Sequence, residues 1–428
     1  MRASLLRLAA ESTSARIKNV NDAQRLYMMH PTSPGSVFFL PKGTRIVDKL
    51  TAFMRSRMRA HGFQEVITPQ LFKNVLWKTS GHWQHYQKDM FKVSGCGHDH
   101  HNTDHETHAA DKAEETDDAE EEYSLKPMNC PGHCLIFRSQ ERSFRDLPIR
   151  FSDFSPLHRN EASGALSGLT RVRRFHQDDG HIFCRPDQVA SEIAKSLELV
   201  GEVYSKFGLK FEPRLSTRPE GFIGEIDLWN QAESDLKNVL GPNVVINEGD
   251  GAFYGPKIDF IVTDNLQKTH QLATIQLDFQ LPLQFGLKYD SAESTKETPV
   301  MIHRAVLGSV ERFLALLIDH YDGKWPFWIN PLQAAVVPVS QAHAEYAQKI
   351  ASQLQQRNYD IELYAQNEPL GGRIRRAINA AASYVIVVGD REMSSGTVSV
   401  RTRESRKLSS LSLDDLEQEF ADRVKSFT

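Results

Sequence analysis

The stretch RFHQDDGHIFC, Arg174 to Cys184, sets Phe175, Gln177, Asp179 and His181 at every second position. On a strand, alternate side chains share a face. An aromatic ring, an amide, a carboxylate and an imidazole then stand in one row. ATIQLDFQ repeats the pattern: Thr274, Gln276 and Asp278 fall on one face, Ile275, Leu277 and Phe279 on the other. One polar strand face is commonly the wet side of an antiparallel sheet. Two such strands, each backed by apolar residues that hold it rigid, predict a polar cleft built on a sheet.

Other segments add groups suited to anions. HRNE, His158 to Glu161, ends a strand pattern with Arg159 and an acid. A guanidinium fork matches phosphate or carboxylate oxygens and keeps its charge. HRAVLGSVERF supplies His303, then Gly308 and Ser309 at a helix start, then Arg312. A glycine there lets a ligand approach the backbone, and a helix N-terminus favours an anion. Standing alone, Arg312 is an ordinary surface arginine. KPMNCPGHCLIF reads as a turn leading into an apolar helix, with Pro131 near its first position. Cys130 there is either a ligand or a buried thiol. GHDHHNTDHETH, Gly97 to His108, holds five histidines in twelve residues, but no core-forming pattern accompanies them.

These groups need elements to position them. Ile46, Leu50, Phe53 and Met54 have helical spacing, and GFQEVITPQL alternates like a strand. Val189, Ile193, Leu197 and Val200 mark an amphipathic helix, and LGSVERFLALLIDH a buried one. PKIDFIV is a further strand. Residues 30–329 therefore read as an α+β domain with antiparallel hairpins. After WPFWINP the pattern changes to alternating strands and helices, a small α/β domain with a mostly parallel sheet over 330–428. Residues 97–122 are low in complexity and read as a surface insertion.

Composition excludes some classes. The chain has 428 residues and a formal charge of -4. The insertion is strongly acidic, so the remainder is net positive and a polyanionic partner is allowed. No apolar run is long enough to span a membrane. Four cysteines without framework spacing predict free thiols. The first 29 residues carry Arg2, Arg7, Arg16 and Lys18, apolar Leu5, Leu6 and Leu8, and frequent serine. That is the composition of an organelle transit segment.

Taken together, GFQEVITP, MNCPGH, HRNEASGALSGLTRVRRFHQDDGHIFC, DGAFYGPKIDF, TIQLDFQLP and MIHRAVLGSVERF closely resemble the catalytic core of threonyl-tRNA synthetases, which are class II aminoacyl-tRNA synthetases. NEPLGGRIRRAI and VSVRTRE resemble the same family's anticodon-binding domain. The resemblance covers roughly residues 30–428. It implies a threonine–tRNA ligase that forms threonyl-adenylate from threonine and ATP, then charges tRNA(Thr). It implies one catalytic zinc held by Cys130, His181 and His303, and magnesium with ATP.

The resemblance also assigns roles. Asp179 accepts the threonine hydroxyl, and Gln177, Tyr254, Gln276 and Ser309 belong to the substrate site. Arg159 bridges carboxylate and α-phosphate. Phe175 and Arg312 sandwich adenine, Glu161 reads its amine, and Arg171 holds the tail phosphates. Asn367, Glu392 and Arg401 match anticodon positions, with Arg373, Arg375 and Arg376 as phosphate contacts. A homodimer is implied through GFQEVITP. The transit-like start implies the mitochondrial matrix.

Three departures stand out. NAAAS, Asn379 to Ser383, has alanines where relatives often carry a basic residue. The core starts near residue 30, leaving no room for the domain that hydrolyses mischarged serine, so weak or no editing of that kind is expected. The insertion separates segments that lie close together in relatives. A synthetase-like RNA- or partner-binding protein without catalysis is the competing reading, and the retained Cys130, Arg159, Phe175, Asp179, His181, His303 and Arg312 weigh against it. The same class acting on serine or proline is disfavoured by the cysteine–histidine set.

Overall fold

The computed structural model describes residues 15–94, 122–263, 269–365, 367–405 and 407–428. Nearly all of the histidine-acid insertion lies outside them, as do residues 1–14. Residues 15–29, expected to belong to the leader, are instead built into the catalytic domain. Val20 and Leu26 join its core, and Gln24 bonds the Gly323 carbonyl and the Trp325 indole. The apolar Leu5, Leu6 and Leu8 of the transit-like pattern lie outside the described residues.

Helix α1 (Pro41–Ala60) begins with proline in its first turn and buries Ile46, Leu50, Phe53, Met54 and Met58. That is the spacing seen in the sequence. An eight-stranded sheet follows. Its strands are β1 (Gln64–Glu65), β2 (Ile149–Asp153), β5 (Asp179–Cys184), β6 (Phe211–Ser216), β7 (Val245–Asn247), β8 (Lys257–Thr263), β9 (Thr269–Asp278) and β10 (Val300–Ala305). The order is β7-β6-β8-β9-β10-β5-β2-β1. All neighbours are antiparallel except the pairs at the two edges, β7 with β6 and β1 with β2. A separate hairpin pairs β3 (Pro156–His158) with β4 (Arg174–His176).

The apolar face of this sheet, including Ile258, Ile275, Leu277 and Ile302, shares one core with α3 (Val189–Lys206) and α5 (Val310–Tyr321). The opposite face carries Asp179, His181, His303 and Gln276 together with apolar Phe151, Phe183 and Met301. Helix α2 (Cys130–Arg138) brings Cys130 and Cys134 into a second apolar cluster with Phe137, Phe151 and Phe183. Cys130, Cys134 and Cys184 are free thiols, all buried.

The C-terminal domain has a five-stranded sheet ordered β12-β11-β13-β14-β15. The strands are β11 (Ala334–Pro338), β12 (Ile361–Leu363), β13 (Tyr384–Val388), β14 (Thr397–Thr402) and β15 (Ser409–Ser412). The first three are parallel and the last two antiparallel. Helices α6 (Ala344–Gln356), α7 (Leu370–Asn379) and α9 (Leu413–Ser426) match the sequence pattern, while α8 (Asp390–Ser395) is a short addition. α1 clasps this domain. Asp360 accepts from Arg45 at 3.2 Å and Lys49 at 2.6 Å, and Lys42 meets Glu362 at 3.0 Å. Phe53, Trp328 and Phe427 form an aromatic trio with ring centroids 5.2–5.3 Å apart, Phe427 edge-on to both other rings and Phe53 tilted against Trp328.

One buried ion pair fixes the entry to α5. Asp178 accepts from the Val306 and Leu307 N–H groups, each at 2.8 Å, and from Arg304 at 3.3 Å. Arg304 is buried and lies 4.5 Å over the Phe63 ring. Asp178→Ala leaves a buried guanidinium without its anion and two N–H groups open. The expected cost is about 3–5 kcal/mol, read as a lowered melting temperature of the catalytic domain. An unchanged melting temperature refutes this role.

Candidate active site

Strand register builds the row of groups. His181 on β5 lies directly opposite His303 on β10, and His303 opposite Gln276 on β9. Direct cross-strand partners point to the same face. Gln276, His303 and His181 therefore stand side by side across three strands. Cys130 reaches the row from the first turn of α2. Among the described residues, the ligand atoms of Cys130, His181 and His303 lie within 4.8 Å of one another, and all three residues are buried.

Each histidine has both ring nitrogens engaged. His303 Nε2 lies 2.8 Å from Asp278 Oδ2 and its Nδ1 lies 3.0 Å from His181 Nε2. His181 Nδ1 lies 2.8 Å from His133 Nδ1. The acceptor-only carboxylate places the His303 proton on Nε2, so its Nδ1 lone pair faces His181. Burial, with His303 and His133 alongside, holds His181 well below its ordinary pKa, which keeps a neutral ring with a lone pair to give. Burial pushes the Cys130 thiol well up, with Asp179 adding to it. A thiol and two neutral imidazoles, converging and oriented by outer partners, are the donor set that suits zinc. Three protein ligands also leave a position for substrate. The residues present fit the ion that the sequence resemblance implies.

Asp179 sits beside this cluster, its Oδ1 3.7 Å from His181 Nε2. Asn129 donates to its other oxygen at 3.0 Å. Burial raises its pKa. Tyr254 donates to Gln276 at 2.8 Å and its ring lies 5.5 Å from that of His303. Asp179, Tyr254 and Gln276 line, with Cys130, His181 and His303, a cavity of about 250 Å³. A second cavity of about 630 Å³ is lined by Glu161, Arg171, Phe175, Ser309 and Arg312. Arg159, Gln177 and Thr274 line both. Two adjoining lobes thus share a wall, with a guanidinium at the junction.

The candidate groups also contact one another. Phe175 and Arg312 both line the larger cavity, and Arg159 lies over the Phe175 ring, 5.1 Å from its centroid. The hairpin explains it: Leu157 is opposite Phe175, and Arg159 follows two residues on, on the same face. Glu161 is ion-paired to Arg171 at 3.0 Å. The Ser309 hydroxyl caps α5 by accepting from Arg312 N–H at 3.1 Å. Gly308 lines the larger cavity and also has a backbone reason to be glycine. Its φ is +72°, and a side chain there would meet the Leu272 carbonyl oxygen at 2.9 Å.

In the C-terminal domain Arg373 is not a phosphate contact. It is buried, and its guanidinium donates to the carbonyls of Pro338, Val339, Tyr364 and Glu368 at 2.6–3.2 Å. Arg375 is exposed, while Arg376 pairs with Glu368 at 2.7 Å. The Glu392 carboxylate accepts from Gly389 N–H at 2.8 Å and from Ser399 at 2.7 Å, capping α8. Arg401 is half-buried on β14, and Asn367 is exposed in the loop before α7. Sequence reasoning missed Asn129 and His133. Both flank Cys130, and the three-residue step from Cys130 to His133 puts them on one helical face.

An antiparallel sheet with a two-lobed polar cleft, followed by a parallel-to-antiparallel α/β domain, defines a class II synthetase. Residues 112–321 match the class II tRNA synthetase core domain (G, H, P, S and T), and 333–423 match the anticodon binding domain. The chain is 46% identical to the mitochondrial threonine–tRNA ligase of Saccharomyces cerevisiae, covering 98% of this chain and 94% of that one. It is 49% identical to the human cytoplasmic threonine–tRNA ligase 1 over 91% of its length, but spans 51% of that longer relative. A Cryptosporidium parvum threonyl-tRNA synthetase structure superposes with a TM-score of 0.88 at 41% identity, covering 95% of this chain and 98% of that one. The chain belongs to the threonyl-tRNA synthetase family.

Proposed function

We propose that this chain is a threonine–tRNA ligase of the mitochondrial matrix. It joins threonine to ATP, releasing pyrophosphate, and passes the threonyl group from the adenylate to the terminal ribose of tRNA(Thr). The observation that carries this reading is the shared wall. The smaller lobe suits an amino acid and the larger a nucleotide, and Arg159 stands where carboxylate and α-phosphate must meet.

In this reading Arg159 offsets the charge that builds as the threonine carboxylate oxygen attacks the α-phosphorus. Phe175 and Arg312 hold the adenine, Arg171 the tail phosphates of the magnesium–ATP complex, and Glu161 the adenine amine. Gln177, Tyr254 and Gln276 orient the amino acid, and Ser309 shapes the nucleotide lobe from the cap of α5. Asp179 takes the hydroxyl proton of threonine as a hydrogen-bond acceptor. Cys130, His181 and His303 would hold a zinc ion, which would supply Lewis-acid polarisation to a bound amino acid. Valine has the shape of threonine and lacks the hydroxyl. A site built around that hydroxyl rejects such an analogue by about 10⁴ or more.

The C-terminal domain takes the anticodon through Asn367 and Arg401, with Glu392 supporting β14. Two copies pair through β1. That strand is the sheet's edge, Ile67 just beyond it is 85% exposed, and an open edge needs cover. The matrix assignment rests on the basic, acid-poor first residues and on the yeast relative of similar span. Among the described residues no helix is long and apolar enough to cross a membrane.

The test is ATP–pyrophosphate exchange with threonine, serine and valine, with and without a zinc chelator. Threonine should drive exchange, serine less, and valine at about 10⁻⁴ of the threonine rate. Stripping zinc should abolish the threonine signal. Equal exchange with valine, or none with threonine, overturns the reading.

A further inference from the structure

His181 and His303 face each other through Nε2 of one and Nδ1 of the other, so their outer nitrogens are opposite atoms. Asp278 settles His303 directly, since a carboxylate only accepts. His181 has no carboxylate on its outer nitrogen. It meets another imidazole, that of His133, Nδ1 to Nδ1 at 2.8 Å. One of these two nitrogens must carry the proton, and the pair alone does not decide which.

The decision lies one step further out. His133 is buried, and its Nε2 lies 3.9 Å from Asp153 Oδ2 with no hydrogen-bond partner of its own. That distance is too long for a hydrogen bond but short for an ion–dipole contact in a dry interior. Asp153 is held as an anion by Thr68 N–H at 3.1 Å, Thr68 Oγ1 at 2.8 Å, Ser155 N–H at 2.7 Å and Lys126 at 3.5 Å. A fixed negative charge beside His133 Nε2 favours the proton there. His133 Nδ1 is then bare and accepts from His181 Nδ1–H. That leaves His181 Nε2 as a lone pair aimed at the cluster.

We propose that His133 is a positioning residue for the metal site, fixing the tautomer and ring orientation of His181 through its Nδ1. Asp153 acts on His181 only through this interposed ring. The ring is also held physically: it packs edge-on against His181 at 4.7 Å and against Phe151 at 6.0 Å. The seat is tight, because a side chain at neighbouring Gly132 would meet Thr68 Cγ2 at 3.0 Å. One turn of α2 therefore supplies a ligand, Cys130, and the group that orients a second ligand on another element.

This inference rests on the reading that Cys130, His181 and His303 bind zinc. The experiment measures zinc affinity of the full chain by chelator competition, and the visible absorption of the cobalt-substituted protein. The variants are His133→Phe, His133→Leu and His133→Asn. Phe and Leu remove the acceptor. Asn keeps an amide oxygen near the place of Nδ1. Zinc affinity should fall about 10–100-fold in Phe and Leu, the usual effect of losing an outer-shell partner. Asn should retain most of it, and its cobalt spectrum should match the unsubstituted protein's. If Phe or Leu does not fold, Asn decides: affinity and spectrum near the original support the proposal. Asn weakened as far as Leu, or Phe binding zinc normally, overturns it. An unsubstituted protein that takes up no zinc sinks the metal reading instead, and the two failures are told apart.

Discussion

His303→Ala lowers kcat/KM for threonine-dependent pyrophosphate exchange by about three orders of magnitude, the scale of losing a preorganised charge-stabilising group at a reacting centre. His303 occupies the middle of the cross-strand row, opposite both Gln276 and His181. Its two nitrogens join Asp278 to the metal cluster. Alanine removes one of three candidate ligands and leaves the buried Asp278 Oδ2 without its imidazole partner, while Oδ1 keeps the Gln280 and Leu281 N–H groups. Ile302 and the apolar face of β10 still hold the sheet, so the fold survives. Metal content should drop together with activity. A variant that keeps its zinc and exchanges within tenfold of the original would falsify the assignment.

Arg159→Ala has the second largest effect, a fall of about 10²–10³ in kcat for the same exchange. The guanidinium stands where the two lobes meet and is steadied by the Pro127 carbonyl at 3.3 Å and the Phe175 ring. Its charge matters most as the α-phosphate is attacked, so the loss should appear in kcat more than in KM for ATP. Arg159→Lys should recover little, because an ammonium lacks the planar fork that spans two oxygens. A defect confined to KM would show that Arg159 only gathers substrate.

The polar strand faces were legible where alternation is local, as for Asp179 with His181 and for Thr274 with Gln276 and Asp278. The single strand expected from Phe175 to His181 is instead two, β4 and β5, with Gln177 in the break between them. Helix α1 was legible too, and its apolar spacing survives intact. What could not be read from residues alone was the pairing of His181 with His303. They are 122 residues apart in the chain, and register between distant strands depends on the whole sheet. The resemblance supplied that link, and the structure brings the three ligands together. Arg373 shows the opposite failure. Its charge marks it for phosphate, yet four carbonyls use all of its reach in the interior. Nothing in a local pattern separates an arginine that faces solvent from one that ties a loop down. Ser309 and Gly308 do line the larger cavity, and the structure adds a backbone task to each that the sequence pattern did not show: a helix cap and a positive-φ turn.

The clasp between α1 and the C-terminal domain bears on how the protein meets a long RNA. Two jaws joined by a loose hinge would adjust to many lengths. Here Asp360 is gripped twice by one helix, and an aromatic wedge of Phe53, Trp328 and Phe427 fills the joint. These contacts favour one set spacing between the domains, and the expected consequence is that a tRNA whose anticodon and acceptor end stand at another separation seats one end only.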